Sequence, residues 1–97
     1  MLEFEEQRLK LRGFADELAD LKEALSYESV KVKIAELEAV TAKEDFWGDL
    51  ENSQKVLQQI SQLKNIVANY DRLSSSLEDT LSQIDMSDEE LELSLLD

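Results

Sequence analysis

The sequence predicts an all-α fold: an antiparallel helical bundle or coiled coil of three long helices plus the start of a fourth. Three observations carry this prediction. The 97 residues contain no proline and only two glycines, so little in the chain interrupts a helix. Apolar residues recur at three- and four-residue spacing through most of its length. The balance of 42% hydrophobic and 34% charged residues suits helices that bury one stripe each, not a disordered tail. A chain of this size supports one core of modest size, so residues 1–97 read as a single helical domain.

The first helix is predicted over about residues 2–25. Phe4, Leu11, Phe14, Leu18, Leu21 and Leu25 fall at spacings of three, four and seven, the pattern of one apolar face. Gly13 lies inside it at a cost of about 1 kcal/mol relative to alanine. The second helix, about 28–43, carries Val30, Ile34 and Leu37, with Ser26 as its expected N-cap. Its short junction with the first predicts an antiparallel hairpin of the two.

The stretch that follows, Glu44 to Val56, is unlike its surroundings because its break in the helical pattern gathers the only tryptophan, an adjacent phenylalanine and one of the two glycines. Connections between bundle helices are usually short and polar, so Phe46 and Trp47 are expected to fold back and plug the bundle end. The competing reading, Trp47 as an exposed anchor for a partner, rests on the frequency of tryptophan in binding hot spots. Gly48 is expected to take a backbone conformation closed to other residues, and Asp49 to cap the next helix.

The third helix is predicted over about 50–85. Val56, Ile60, Leu63, Val67, Tyr70, Leu77, Leu81 and Ile84 keep a heptad phase with Ser74 at the one polar position, which calls for a facing helix along the whole stripe. Ser87 and Glu90 form a capping-box pattern, and Asp88, Glu89 and Glu90 place negative charge in a first turn, so a fourth helix is expected over about 88–97. Leu91, Leu93, Leu95 and Leu96 follow with no glycine or basic residue to end it, which reads as truncation within that helix. A heptad stripe longer than its partners predicts self-association of such a truncated chain, opposed at low salt by its charge.

Charge and composition narrow the function. The net charge is −13, and residues 85–97 supply six acids and no base. Direct nucleic-acid binding by this chain is disfavoured, because that contact needs basic groups to replace counterions; an anionic membrane is disfavoured for the same reason. The acidic exterior reads as a solvated helical surface. No apolar run approaches the roughly 20 residues that span a bilayer, and the acidic start lacks the basic region of a secretory signal. Without cysteine there is no disulfide framework and no thiolate, which suits a reducing cytoplasm. Without histidine, the Ser-His-Asp arrangement and the histidine-containing di-iron motif are excluded. Gly13 and Gly48 lie too far apart for a phosphate-cradling loop.

The cluster Asp85, Asp88, Glu89 and Glu90 lacks the spacing and central glycine of a calcium loop, and Ser74, Ser75 and Ser76 have no base beside them. The chain is therefore not expected to be an enzyme. No catalytic, cofactor-binding or metal-ligating residue is identified, no cofactor is implied, and no particular residue is assigned to partner binding.

One set of residues carries a resemblance. Ile34-Ala35-Glu36-Leu37-Glu38 closing a helix, then Asp45-Phe46-Trp47, then Gln54-Lys55-Val56 opening a long helix, resembles the N-terminal helical domain of the bacterial peptide chain release factor 2 family. The resemblance spans the chain, and its specific part is about residues 27–60. Where that family usually has proline before Asp-Phe-Trp and an Asp-Pro pair after it, this sequence has Glu44 and Asp49-Leu50.

The resemblance implies a cytoplasmic translation-termination factor that recognises UGA and UAA in the ribosomal A site and triggers peptidyl-tRNA hydrolysis. The family's codon-reading Ser-Pro-Phe and its Gly-Gly-Gln are absent, so no such residue carries over. What it assigns to this part is an interaction and positioning module, meeting the ribosome in the full-length factor, together with the partner termination GTPase. The alternative is a free-standing acidic coiled-coil scaffold or nucleic-acid mimic.

Overall fold

A computed structural model describes residues 2–96, with the side chains of residues 4–95. It is all-α: α1 spans Leu2–Ala24, α2 spans Tyr27–Thr41, a 3-10 turn occupies Glu44–Gly48, and α3 spans Leu50–Leu96. The chain, read from sequence as one domain, divides into two compact units, residues 1–21 with 72–97 and residues 22–71.

In the first unit α1 runs antiparallel to the distal part of α3. Arg8, early in α1, meets Asp85 and Asp88 late in α3, while Leu18 and Leu21 line a groove with Leu73 and Leu77. Within this unit the positions of α1 withdrawn from solvent are Phe4, Arg8, Leu11, Ala15 and Leu18, an unbroken alternation of four and three. The predicted apolar face is corrected at two places: Phe14 and Leu21 lie off this seam, 54% and 37% exposed. Phe4, Leu11, Leu18 and Leu25 are spaced by sevens, and Phe14 and Leu21 form a second heptad stripe that flanks the seam along the groove lined by Leu73 and Leu77.

In the second unit α2 runs antiparallel to the proximal part of α3. Tyr27 meets Tyr70 with ring centroids 5.0 Å apart, and Lys64 pairs with Glu38 at 2.6 Å. Val30, Ile34 and Leu37 are half-buried, and Ile60 on α3 is buried. Each of the two shorter helices finds a partner along α3 within its own unit. The junction between α1 and α2 turns at Ser26, the only non-glycine residue with positive φ (55°) among the described residues. Ser26 occupies the N-cap position but makes no side-chain cap hydrogen bond; its left-handed backbone redirects the chain instead.

The expected break between a third and a fourth helix does not form. Helix α3 continues through Asp85–Asp88 to Leu96, and the predicted end at Asp97 lies outside the described residues. Two causes are visible. The withdrawn positions of α3 keep one phase from Ser53 to Leu91, with Leu81, Ile84, Asp88 and Leu91 at spacings of three, four and three. Asp85 and Asp88, one helical turn apart, also receive the two arms of the same guanidinium. A capping box at Ser87 would have to sacrifice both.

Candidate functional site

The stretch with the strongest sequence signal is the connection between α2 and α3. Its local frame is built from the start of α3. Asp49 caps that helix as predicted, its Oδ1 accepting from the Asn52 backbone N–H at 3.2 Å. Ser53 is 2% exposed, and its hydroxyl donates to the Phe46 carbonyl at 2.5 Å with the Asp49 carbonyl also in reach at 2.9 Å. This bond ties the 3-10 turn to the first turn of α3 and satisfies a carbonyl that the turn would otherwise bury unpaired.

The two aromatics separate. Phe46 is buried at 5% exposure, as the plug reading requires, whereas Trp47 is 56% exposed, which corrects the expectation that both close the bundle end. The cause is the turn itself: at three residues per turn, neighbouring side chains point about 120° apart, so only one of the pair can face inward. Trp47 leans edge-on against Phe46, centroids 4.8 Å apart at 86°. The indole is thus held on a buried base, with exposed Leu50 and the acids Glu44, Asp45, Asp49 and Glu51 in the flanking sequence. Gly48 does not need its conformational freedom here, because no described glycine has positive φ.

Two polar nodes fix the helices on either side. Tyr27 donates to Asp71 Oδ1 at 2.6 Å, with Lys22 and Lys31 ammonium groups 4.9 and 5.2 Å from its ring centroid. The bond to Asp71, aided by partial burial, pushes the phenol up to about 12. In the first unit Arg8 donates from Nη2 to Asp88 Oδ2 at 2.8 Å and from Nε to Asp85 Oδ1 at 2.9 Å. The hydrogen bond to Asp88 raises the guanidinium further above its ordinary value.

The acidic run thus serves packing: Asp85 and Asp88 take Arg8, Glu89 and Glu90 are exposed, and no described group of three or more ligating side chains is placed to hold a metal ion. In the serine run Ser74 sits on the seam while Ser75 and Ser76 face solvent. Sequence reasoning missed Arg8 and Ser53 because both are polar residues at seam positions; continuing the alternation of three and four from either side would have found them. No described helix is long and apolar enough to cross a membrane.

This arrangement, two antiparallel helix pairs with an aromatic connection at the head of the long helix, coincides with a family match. The PCRF domain model matches residues 30–96, so the chain belongs to the PCRF domain family. Among curated proteins it is similar to peptide chain release factor 2 of Rickettsia bellii, 34% identical over 70 residues, covering 72% of this chain and 19% of that protein. Release factor 2 of Staphylococcus haemolyticus is 28% identical over 91 residues, 94% of this chain and 24% of that protein. The protein of the same name from Exiguobacterium is 30% identical over 89 residues, 92% and 24% respectively. The resemblance read from the Asp-Phe-Trp segment and its flanks is borne out. The chain spans about a fifth to a quarter of the length of these relatives. No solved structure matches it.

Proposed function

We propose that the chain is the non-catalytic helical module of a translation-termination factor, which in the full-length protein positions the factor on the ribosome for release of the nascent chain at UGA and UAA. The observation that carries this reading is the family match running through α2, the connection and α3, with relatives named peptide chain release factor 2. Codon reading and hydrolysis belong to the remaining length of such a factor. The chain holds no histidine or cysteine, and its charge of −13 suits contact with basic protein surfaces, not with an RNA backbone. Its place of action is the cytoplasm, on the ribosome and beside the termination GTPase.

The test is an exchange. The chain replaces its matching segment in the Staphylococcus haemolyticus factor, and peptide release is measured on ribosomes programmed with UGA, UAA and UAG. The reading expects release by the folded hybrid at UGA and UAA only, and none by the isolated chain. A helical, stable hybrid that co-sediments with no ribosomes and releases nothing would instead favour a scaffold of unrelated role. Release by the isolated chain would overturn its non-catalytic assignment.

A further inference from the structure

The turn between α2 and α3 presents a contact that the chain itself leaves unused, and we propose that Glu44 and Trp47 form the docking point for an arginine on a basic partner protein. In a 3-10 helix, side chains three residues apart eclipse one another, so within Glu44–Gly48 the Glu44 carboxylate and the Trp47 indole share one face. Phe46 turns inward and is buried, which leaves Trp47 56% exposed and Glu44 exposed. The indole is mounted on that buried ring by their T-shaped contact, and the Phe46 carbonyl accepts from the buried Ser53 hydroxyl, so the turn is ordered before any partner arrives. A partner therefore meets a fixed aromatic face, and little freedom is lost in docking on it. All of these residues belong to one compact unit, residues 22–71.

Charge and shape select the occupant. Residues 44–51 carry four acids and no base. Asp49 and Glu51 serve α3, the first as its cap and the second against Lys55 at 3.6 Å. Glu44 and Asp45 take part in no ion pair among the described residues, and no described cation lies over the Trp47 ring. Lys43, the neighbouring base, precedes the turn on extended backbone. An indole face with a carboxylate at its side suits a guanidinium, whose plane stacks on the ring while its N–H groups donate to the carboxylate; the ammonium of lysine lacks that planar fork. The chain uses related chemistry once within itself: the Tyr27 ring takes the Lys22 and Lys31 ammonium groups at 4.9 and 5.2 Å, with the Asp71 carboxylate bonded to its hydroxyl. At Trp47 the cation has to come from another molecule. A nucleic-acid strand stacks a base on this indole only by bringing phosphates against the same carboxylates. The inference stands on the turn alone and does not rest on the release-factor reading.

Fluorescence anisotropy of a short labelled peptide of alternating arginine and glycine, titrated with the chain at physiological salt, tests it. The sole tryptophan gives a second signal, because a stacked guanidinium changes its emission. The arginine peptide is expected to bind at least about threefold tighter than its lysine counterpart. Glu44→Lys and Trp47→Leu should each weaken binding about fivefold or more, the leucine keeping an apolar side chain without the π face. Glu89→Lys, the same charge change at an exposed position in the other unit, should leave the affinity within about twofold. Circular dichroism checks that each variant keeps its helicity. An arginine peptide that does not bind, or binds no better than the lysine peptide, would overturn the inference. Equal losses from Glu89→Lys and Glu44→Lys would overturn it as well, since diffuse charge would then account for the binding. A short single-stranded RNA is the last arm: a change in Trp47 emission with the RNA and none with the peptide would overturn the protein partner.

Discussion

Arg8 on α1 and Asp88 on α3 occupy facing positions of the helix seam, joined by a 2.8 Å charge-assisted hydrogen bond in a place where the heptad pattern would put two apolar side chains. Asp88 is 8% exposed, and its Oδ1 is buried without a hydrogen-bond partner among the described residues. The pair therefore secures alignment more than stability, because any slip of α1 along α3 strands a buried carboxylate. Arg8→Ala should destabilise the chain measurably, leaving the buried Asp88 with no compensating charge. The double variant Arg8→Leu with Asp88→Leu should be near neutral or more stable. Urea titrations of the three proteins check this, and a double variant as weak as the single one would show that the seam needs the ion pair for more than alignment.

The connection gives a second contrast. Phe46→Ala should cost about 3–4 kcal/mol, since it empties a buried site whose surroundings are fixed by the Ser53 hydrogen bond. Trp47→Ala should cost under about 1 kcal/mol, because the indole loses little besides its edge contact with Phe46. Tryptophan emission should lie near that of a solvated indole and respond strongly to a soluble quencher. A blue-shifted, shielded spectrum would mean that the ring is covered.

Much of this was legible in the sequence. The all-α class, the extent of α1 and α2, the Asp49 cap and the α3 stripe from Val56 to Ile84 all follow from spacing and capping chemistry. Most of what was not legible shares one physical cause: polar residues hold seam positions. Ser53, Arg8 and Asp88 are withdrawn from solvent because each finds a specific partner, and hydropathy alone cannot register a partner. Phe14, being large and apolar, was drawn into the seam by the same logic that left Arg8 out. The separation of Phe46 from Trp47 needed the 3-10 geometry, which a five-residue segment does not announce.

Tyr27 supplies a pH test. Its phenol rises from an ordinary 10.0 to about 12 through its hydrogen bond to Asp71. A raised folded-state value means that the native state holds the proton more tightly than the unfolded chain. The contribution is therefore complete below pH 10 and lost as pH climbs from there through about 12. Denaturation midpoints of the wild type should fall more steeply across that window than those of Tyr27→Phe, which keeps the Tyr70 contact without the titrating hydroxyl. Absorbance titration of tyrosinate should show one late-ionising group in the wild type only. Parallel curves for the two proteins would remove the Tyr27–Asp71 bond from the account of this unit.

Ser87 distinguishes a continuous α3 from a broken one by the sign of a single substitution. At an N-cap, serine supplies a hydroxyl to an unpaired backbone N–H, and Ser87→Ala would cost about 1 kcal/mol. In the interior of α3 the preceding turn already satisfies those N–H groups, Ser87 is exposed, and alanine is the better helix former. The continuous helix therefore predicts that Ser87→Ala raises stability by up to about 0.5 kcal/mol. Ser87→Pro sharpens the contrast, since proline inside a helix removes one hydrogen bond and clashes with the turn before it, a loss of about 3 kcal/mol, whereas a chain already broken there accommodates it at little cost. Because Asp85 and Asp88 share Arg8 only while the helix is intact, the proline should also abolish the destabilisation caused by Arg8→Ala. Thermal melts of the wild type, Ser87→Ala and Ser87→Pro in both Arg8 backgrounds decide the matter. Loss on Ser87→Ala with tolerance of Ser87→Pro would restore the break and a fourth helix.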